Sequence, residues 1–379
     1  MIAVAVTAGV IVRDDAPRRV TADEPPAIDG VFPTATGTVL VFDDGTSGVV
    51  AVDLDHRRVS RLAIEGQRGS DAPFRLHRTG DAFVFGSGAV STVPFAGHPS
   101  VSLGESTIFV PAVEDGTVWL VDYPGGPIGA GIPTLRHVDL TGAVLSESAG
   151  LQDEDALAIR AMAGGMAYET PDGVVVWDPS TGEITHPFGT SPDVLIGDVH
   201  GSLVAWCDAP AACTAVHVTD LTTGTDVQAS PTDPRFAVNI TGVRFSPDGS
   251  TLAVQTAFEI LLVDTTTGER RVAVTDGLPD AGYLAWADDG RRLFFTSYSY
   301  GTGQIDLGVY DLDTGETTRR HLPFGGTLDF VALPVEIGAA LLAEGAISFE
   351  PCVWEDFTCG STGSSTPPNP TASSTPTSR

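Results

Sequence analysis

Lysine is absent. All 20 basic residues of this 379-residue chain are arginine, and they face 49 acidic residues, for a formal net charge of −29. Without lysine, neither Schiff-base chemistry nor a Walker-type phosphate loop can be built. An acidic excess of this size repels nucleic acid and anionic membrane surfaces, so neither is expected as a partner. Long apolar runs are missing as well. The stretch Ile2–Val12 is too short for a membrane-spanning helix of ~20 residues, and it lacks the basic start of a signal peptide. No sustained helical periodicity appears, and the best helical stretch, Asp153 to Met162, is short. There is no Gly-x-Ser-x-Gly elbow, no His-x-x-x-His pair and no Asp-x-Asp-x-Asp-Gly calcium loop. The eight histidines are scattered about one per repeat. No cofactor, metal site or catalytic residue is therefore assigned.

What the chain has instead is a turn that returns. Val176-Trp177-Asp178-Pro-Ser-Thr-Gly182-Glu183, Val218-Thr219-Asp220-Leu-Thr-Thr-Gly224, Leu262-Val263-Asp264-Thr-Thr-Thr-Gly268-Glu269 and Val309-Tyr310-Asp311-Leu-Asp-Thr-Gly315-Glu316 read almost alike. Weaker copies stand at Asp53, Pro94 and Asp139, and the seven equivalent positions are 41, 45, 39, 42, 44 and 47 residues apart. Each copy follows an apolar, β-branched run. Its aspartate can accept backbone N–H groups and its glycine supplies positive φ, so Asp178, Gly182, Asp220, Gly224, Asp264, Gly268, Asp311 and Gly315 are read as structural turn residues. The first copy lacks the glycine and the second has proline for aspartate, which predicts less regular hairpins there.

A second element, Phe245-Ser-Pro-Asp248-Gly249-Ser-Thr-Leu-Ala-Val254 and Trp286-Ala-Asp288-Asp289-Gly290-Arg-Arg-Leu-Phe-Phe295, places Asp-Gly at the bend of a strand pair. Over roughly residues 28–335 the two elements together resemble WD40-like and TolB-like β-propeller repeats. Trp177-Asp178 matches the Trp-Asp dipeptide, although the Gly-His partner of true WD40 blades is missing. The resemblance implies an all-β chain: a seven-bladed propeller of four-stranded antiparallel blades, with six and eight blades left open. Thr327–Pro334 is an additional strand placed to complete the first blade and close the ring. The expected organisation is an N-terminal segment 1–27, a propeller 28–345, a cysteine-paired extension 346–359 and a disordered tail 360–379. Gly360–Arg379 contains 11 Ser or Thr and four Pro and cannot bury a core.

The four cysteines form two close pairs, Cys207 with Cys213 and Cys352 with Cys359, at spacings that do not suit zinc. Local disulfides are the reading adopted among the three possible pairings, and they place the chain outside the cytoplasm. Ile2–Val12 is read as the end of an anchor or signal sequence, so the protein is expected to be membrane-tethered at its N-terminus or secreted.

In propellers that the repeat resembles, loops from strand two to strand three and from blade to blade gather on one face, and the Asp-to-Gly turns lie on the other. The first group includes 65–73, 123–133, 146–155, 191–193, 230–236, 275–280 and 297–306. Arg68, Tyr123, Arg235, Tyr298 and Tyr300 are its candidate contacts, since arginine with tyrosine neighbours makes an anchor set for a partner. The functional expectation is a non-catalytic binder of a protein or cell-envelope component. The alternative is an exported glycan hydrolase or lyase using loop carboxylates such as Asp155, Asp193, Asp280 or Asp306; a structural spacer is a third reading.

Overall fold

A computed structural model of the chain describes residues 37–43, 49–56, 58–62, 75–95, 100–124, 131–151, 159–170, 173–189, 194–207, 213, 215–229, 240–256, 258–275, 283–299, 304–322, 330–334, 337–338 and 349–351. Blade one begins with β1 (Thr38–Asp43), β2 (Val49–Asp53) and β3 (Arg58–Leu62). Blade two holds β4 (Arg75–Thr79), β5 (Ala82–Pro94) and β6 (Val101–Ser106), and blade three β7 (Ile108–Pro111), β8 (Thr117–Asp122), β9 (Thr134–Asp139) and β10 (Val144–Ala149). Blade four comprises β11 (Arg160–Met162), β12 (Gly165–Thr170), β13 (Gly173–Trp177) and β14 (Ile184–Thr185). Blade five follows with β15 (Leu195–His200), β16 (Leu203–Cys207), β17 (Val216–Asp220) and β18 (Thr225–Ala229). Blade six is β19 (Ile240–Phe245), β20 (Thr251–Thr256), β21 (Glu259–Asp264) and β22 (Arg270–Thr275). Blade seven is β23 (Leu284–Trp286), β24 (Arg292–Ser299), β25 (Gln304–Asp311) and β26 (Thr317–Leu322), and β27 (Phe330–Pro334) and β28 (Phe349–Pro351) come last. Within each blade β1 to β26 pair antiparallel with their sequence neighbours.

The molecule is a seven-bladed β-propeller. The first strands touch in a closed cycle, β27 to β4, β7, β11, β15, β19, β23 and back to β27. Blade one closes as the sequence leads one to expect: β27 pairs with β1, Leu40 opposite Ala332 and Phe42 opposite Phe330. On its outer side β28 pairs with β3, Phe349 opposite Leu62, so this sheet has five strands. β5 supplies both middle strands of blade two because it doubles back at Gly86-Ser87-Gly88. Its first half pairs with β4 and its second with β6. The Phe95 N–H then meets the Asp81 carbonyl at 2.8 Å. Both glycines have positive φ, 135° and 77°, and a Cβ on Gly86 would lie 2.0 Å from the Ala89 oxygen. Only glycine makes that reversal.

The core is seven cores. One apolar cluster fills each interface between adjacent blades: Leu40, Val52, Phe294 and Leu307 join blades one and seven, and Val41, Phe83 and Phe85 join one and two. Phe109 and Val90 join blades two and three, and Ile108, Tyr168 and Trp177 join three and four. Val174 and Val204, Val218 and Leu252, then Leu262 and Phe295 close the remaining interfaces. Each fully buried Val, Leu, Ile or Phe contributes about 1.5–3 kcal/mol. Burial fades outward: every residue of β13 is buried, whereas both residues of β14 are exposed.

Polar groups stitch the same interfaces. Glu169 of blade four accepts the Ile196 N–H at 2.7 Å, and Asp198 of blade five accepts the Phe245 N–H at 2.9 Å. Trp286 of blade seven donates to the Arg244 carbonyl of blade six at 3.1 Å. Asp115 of blade three accepts the Gly80 N–H of blade two, while the Gly116 N–H reaches Thr79 Oγ1 at 2.8 Å. Arg78 of blade two also pairs with Asp288 of blade seven, the two blades that flank blade one. The buried carboxylates of Glu169 and Asp198 thus meet backbone donors of the next blade.

The recurrent turns share one geometry. Gly142, Gly182, Gly224, Gly268 and Gly315 donate N–H to the carbonyl of the turn aspartate at 2.7–3.0 Å, each with φ between 72° and 85°. The aspartate carboxylate then accepts from inside its own turn, as Ser180 N–H and hydroxyl bind Asp178 at 2.7 Å. Those bonds hold the carboxyls of Asp139, Asp178, Asp220, Asp264 and Asp311 below their ordinary range. The leading causes are the hydroxyls of Thr141, Ser180 and Ser202 for the first three, and the N–H groups of Thr267 and Thr314 for the last two. The glycine-less first copy keeps the carboxylate half of the device: Asp53 accepts the N–H groups of Asp55 and His56, both at 3.0 Å, as Asp264 accepts those of Thr266 and Thr267. In the second copy, residues 96–99 lie outside the described ones.

Candidate functional site

The first strands of the blades line the central channel, and the described residues enclose a cavity of about 640 Å³ there. The size falls within the range of small-molecule sites. Strand alternation sets its lining. Arg75 and His77 sit two apart on β4, and Asp198 and His200 two apart on β15, so each pair faces one side of its strand. Arg160 opens β11, Arg244 lies near the end of β19, and the exposed side chains of Val113 and Tyr283 supply apolar wall.

Three arginines thus reach one cavity from blades two, four and six, with Asp198 the carboxylate among the described lining residues. Arg75 donates to the Phe109 carbonyl at 3.3 Å, Arg160 to the Ile159 carbonyl at 2.9 Å, and Arg244 stands 3.7 Å from Asp198. Asp198 is 8 % exposed and already accepts the Phe245 N–H. His77 titrates at about 4 instead of 6.5; burial is the main cause, the charges of Arg244 and Arg78 add to it, and Asp115 opposes. The imidazole is therefore neutral at pH 7. His200 packs against the Gly249 turn, where a Cβ would fall 2.4 Å from its ring.

Sequence reasoning passed over this site. The three arginines are lone residues in separate repeats, and the histidines are scattered along the sequence. The usable signal was the period-two pairs Arg75-x-His77 and Asp198-x-His200 on the strand before each first bend. Two other histidines are packing groups: His137 stacks on Trp119 at 4.6 Å and His217 on Trp206 at 4.4 Å, directly opposite across their strand pairs. Burial lowers the pKa of His137 against the opposing charge of Glu114.

The candidates drawn from the sequence fare unevenly. Arg68, Arg235 and Tyr300, and the carboxylates Asp155, Asp193 and Asp280, lie outside the described residues, as do Cys352 and Cys359. The backbone of Tyr298 is in β24 opposite Ile305, and Asp306 is in β25 opposite Ser297. Tyr123 is 5 % exposed and packs with Ile108, Leu135 and Tyr168, so its ring belongs to the core between blades three and four and is not offered to a partner. Cys207 and Cys213 form a disulfide, with Cα atoms 5.7 Å apart, joining the end of β16 to the approach of β17. Among the described residues no group of three His, Cys, Asp or Glu could hold a metal ion.

No protein-family model matches the chain, and no curated protein matches it by sequence. Solved structures do. The dihydro-heme d1 dehydrogenase NirN is similar at 14% identity, covering 83% of this chain and 77% of its own, with a TM-score of 0.49. TolB from Acinetobacter baumannii is similar at 12% identity over 78% of this chain and 82% of its own, TM-score 0.42. Apo AztD from Citrobacter koseri is similar at 14% identity over 78% and 88%, TM-score 0.46. At these identities the likeness is one of propeller architecture, which hosts many unrelated activities.

Proposed function

We propose that this chain is an extracytoplasmic, non-catalytic propeller that binds a protein or cell-envelope partner through the loops joining strand two to strand three and blade to blade, and that its N-terminal segment tethers it to a membrane. The Cys207–Cys213 disulfide is the observation that carries the location, because such bonds persist in oxidising compartments and are rare where glutathione keeps thiols reduced. The ring supports the binding role: seven packed interfaces make a stiff base for loops that need no structure of their own. The charge of −29 directs the choice of partner away from nucleic acid.

The contact set is Arg68, Arg235, Tyr298 and Tyr300. A quantitative pull-down from cell-envelope extract, comparing the full chain with a Tyr298→Ala, Tyr300→Ala variant of unchanged circular dichroism, tests it. One partner enriched by the parent and lost by the variant is the expected result. If parent and variant enrich the same proteins equally, this face is not the binding surface.

A further inference from the structure

We infer that Phe258 and Tyr283 form the anchor of the loop face, seating an apolar side chain carried on a basic surface of a partner protein. That anchor rests on the loop-face reading above and adds to its contact set. Phe258 lies in the turn from β20 to β21, and Tyr283 stands at the entry to β23. Both are at strand ends remote from the bends of Gly249 and Gly290, so they share the face opposite the turns, on the adjacent blades six and seven. Phe258 is 50 % exposed and Tyr283 36 %. A lone exposed ring is ordinary. These two are held together.

One threonine clamps each. Thr256 Oγ1 accepts the N–H groups of Phe258 at 3.2 Å and Glu259 at 3.0 Å, and its hydroxyl donates to the Glu259 carbonyl at 3.2 Å. Thr296 Oγ1 accepts the Tyr283 N–H, and the Thr296 N–H returns to the Tyr283 carbonyl, both at 3.0 Å. Gln255, beside the first threonine, donates to the Thr296 carbonyl at 3.3 Å across the blade interface, so the two clamps are one unit. The backbone under each ring is fixed before anything binds, which lowers the ordering cost of association. The chemistry of the patch then selects the partner. Gln255, Thr256, Glu259, Thr296 and Ser297 are each at most 4 % exposed. The Tyr283 hydroxyl apart, these neighbours therefore offer ring surface and no hydrogen-bonding side chain. A sugar needs such groups for its hydroxyls, whereas an apolar side chain does not. The net charge of −29 draws a basic surface in and holds an acidic one off.

Selection of a random dodecapeptide phage library on the full chain, then calorimetry with the enriched peptide and with chitohexaose, tests the assignment. We expect enriched peptides to carry an aromatic or aliphatic residue beside Arg or Lys, and chitohexaose not to bind. Phe258→Ala and Tyr283→Ala should each weaken the best peptide at least tenfold. Leu145→Ala, which trims a side chain 55 % exposed on β10, should leave it within twofold. Circular dichroism checks each variant, and if Tyr283→Ala does not fold, Phe258→Ala decides. No enrichment, an acidic consensus, an equal loss in Leu145→Ala or chitohexaose binding that Phe258→Ala abolishes overturns the inference. So does wild-type affinity in either folded ring variant. If affinity then falls in the Tyr298→Ala, Tyr300→Ala variant instead, the loop face stands without this anchor; indifference to all four substitutions removes both.

Discussion

His77 is a histidine whose environment keeps it neutral. Its pKa near 4 arises from burial together with Arg78 on its own strand and Arg244 on β19, against Asp115 from the turn of blade three. Between pH 6.5 and 4 the unfolded chain takes up a proton there that the folded one refuses. Stability therefore falls as pH drops through that window, by at most about 3 kcal/mol, and levels off below it. Urea midpoints measured from pH 7 to pH 4 should show a shallower decline in His77→Gln than in the parent; parallel curves would mean the imidazole is solvated. The turn carboxylates act further down the scale. Their pKa values are depressed, so their contribution is present above the ordinary carboxylate range and is lost as pH falls through the lowered values.

At the scale of the element, the turns were legible because their requirements are local. Asp178, Gly182 and their counterparts recur at fixed offsets since one carboxylate and one positive-φ residue make the whole device. Thr327–Pro334 was legible as a strand, and its partner followed from the need to leave no open edge. The reversal inside β5 was not, because Gly86-Ser87-Gly88 sits in an apolar run that reads as one strand. Nor was the burial of Tyr123, which depends on the neighbouring blade. The channel arginines stayed hidden for the same reason: what makes them a set is the ring, which joins positions 75, 160 and 244 only once blades two, four and six face one axis. The Cys207–Cys213 bond, closing a short loop at a sequence separation of 6, should contribute about 2 kcal/mol. Cys207→Ser with Cys213→Ser should lower the urea midpoint in oxidising buffer and bring it level with that of the reduced parent. An unchanged midpoint would show the bond does not form in solution.

At the scale of the molecule, stability rests on closure. Seven interfaces need seven blades, and blade one takes its innermost strand, β27, from the far end of the chain. Truncation after Leu322 removes β27 and β28, strips the ladder from β1 and uncovers Leu40, Val41 and the apolar faces around them. The truncated chain should lose its single cooperative urea transition and show a reduced m-value, because less surface remains to be exposed. A midpoint and m-value equal to those of the full chain would show that β27 is dispensable.

That late strand also orders events in time. While a ribosome or an export channel still holds the segment that becomes β27, blades two to seven can form pairwise, but the last interface cannot seal and the ring stays ajar. Locking falls in one late step, after almost every residue of the ring has arrived.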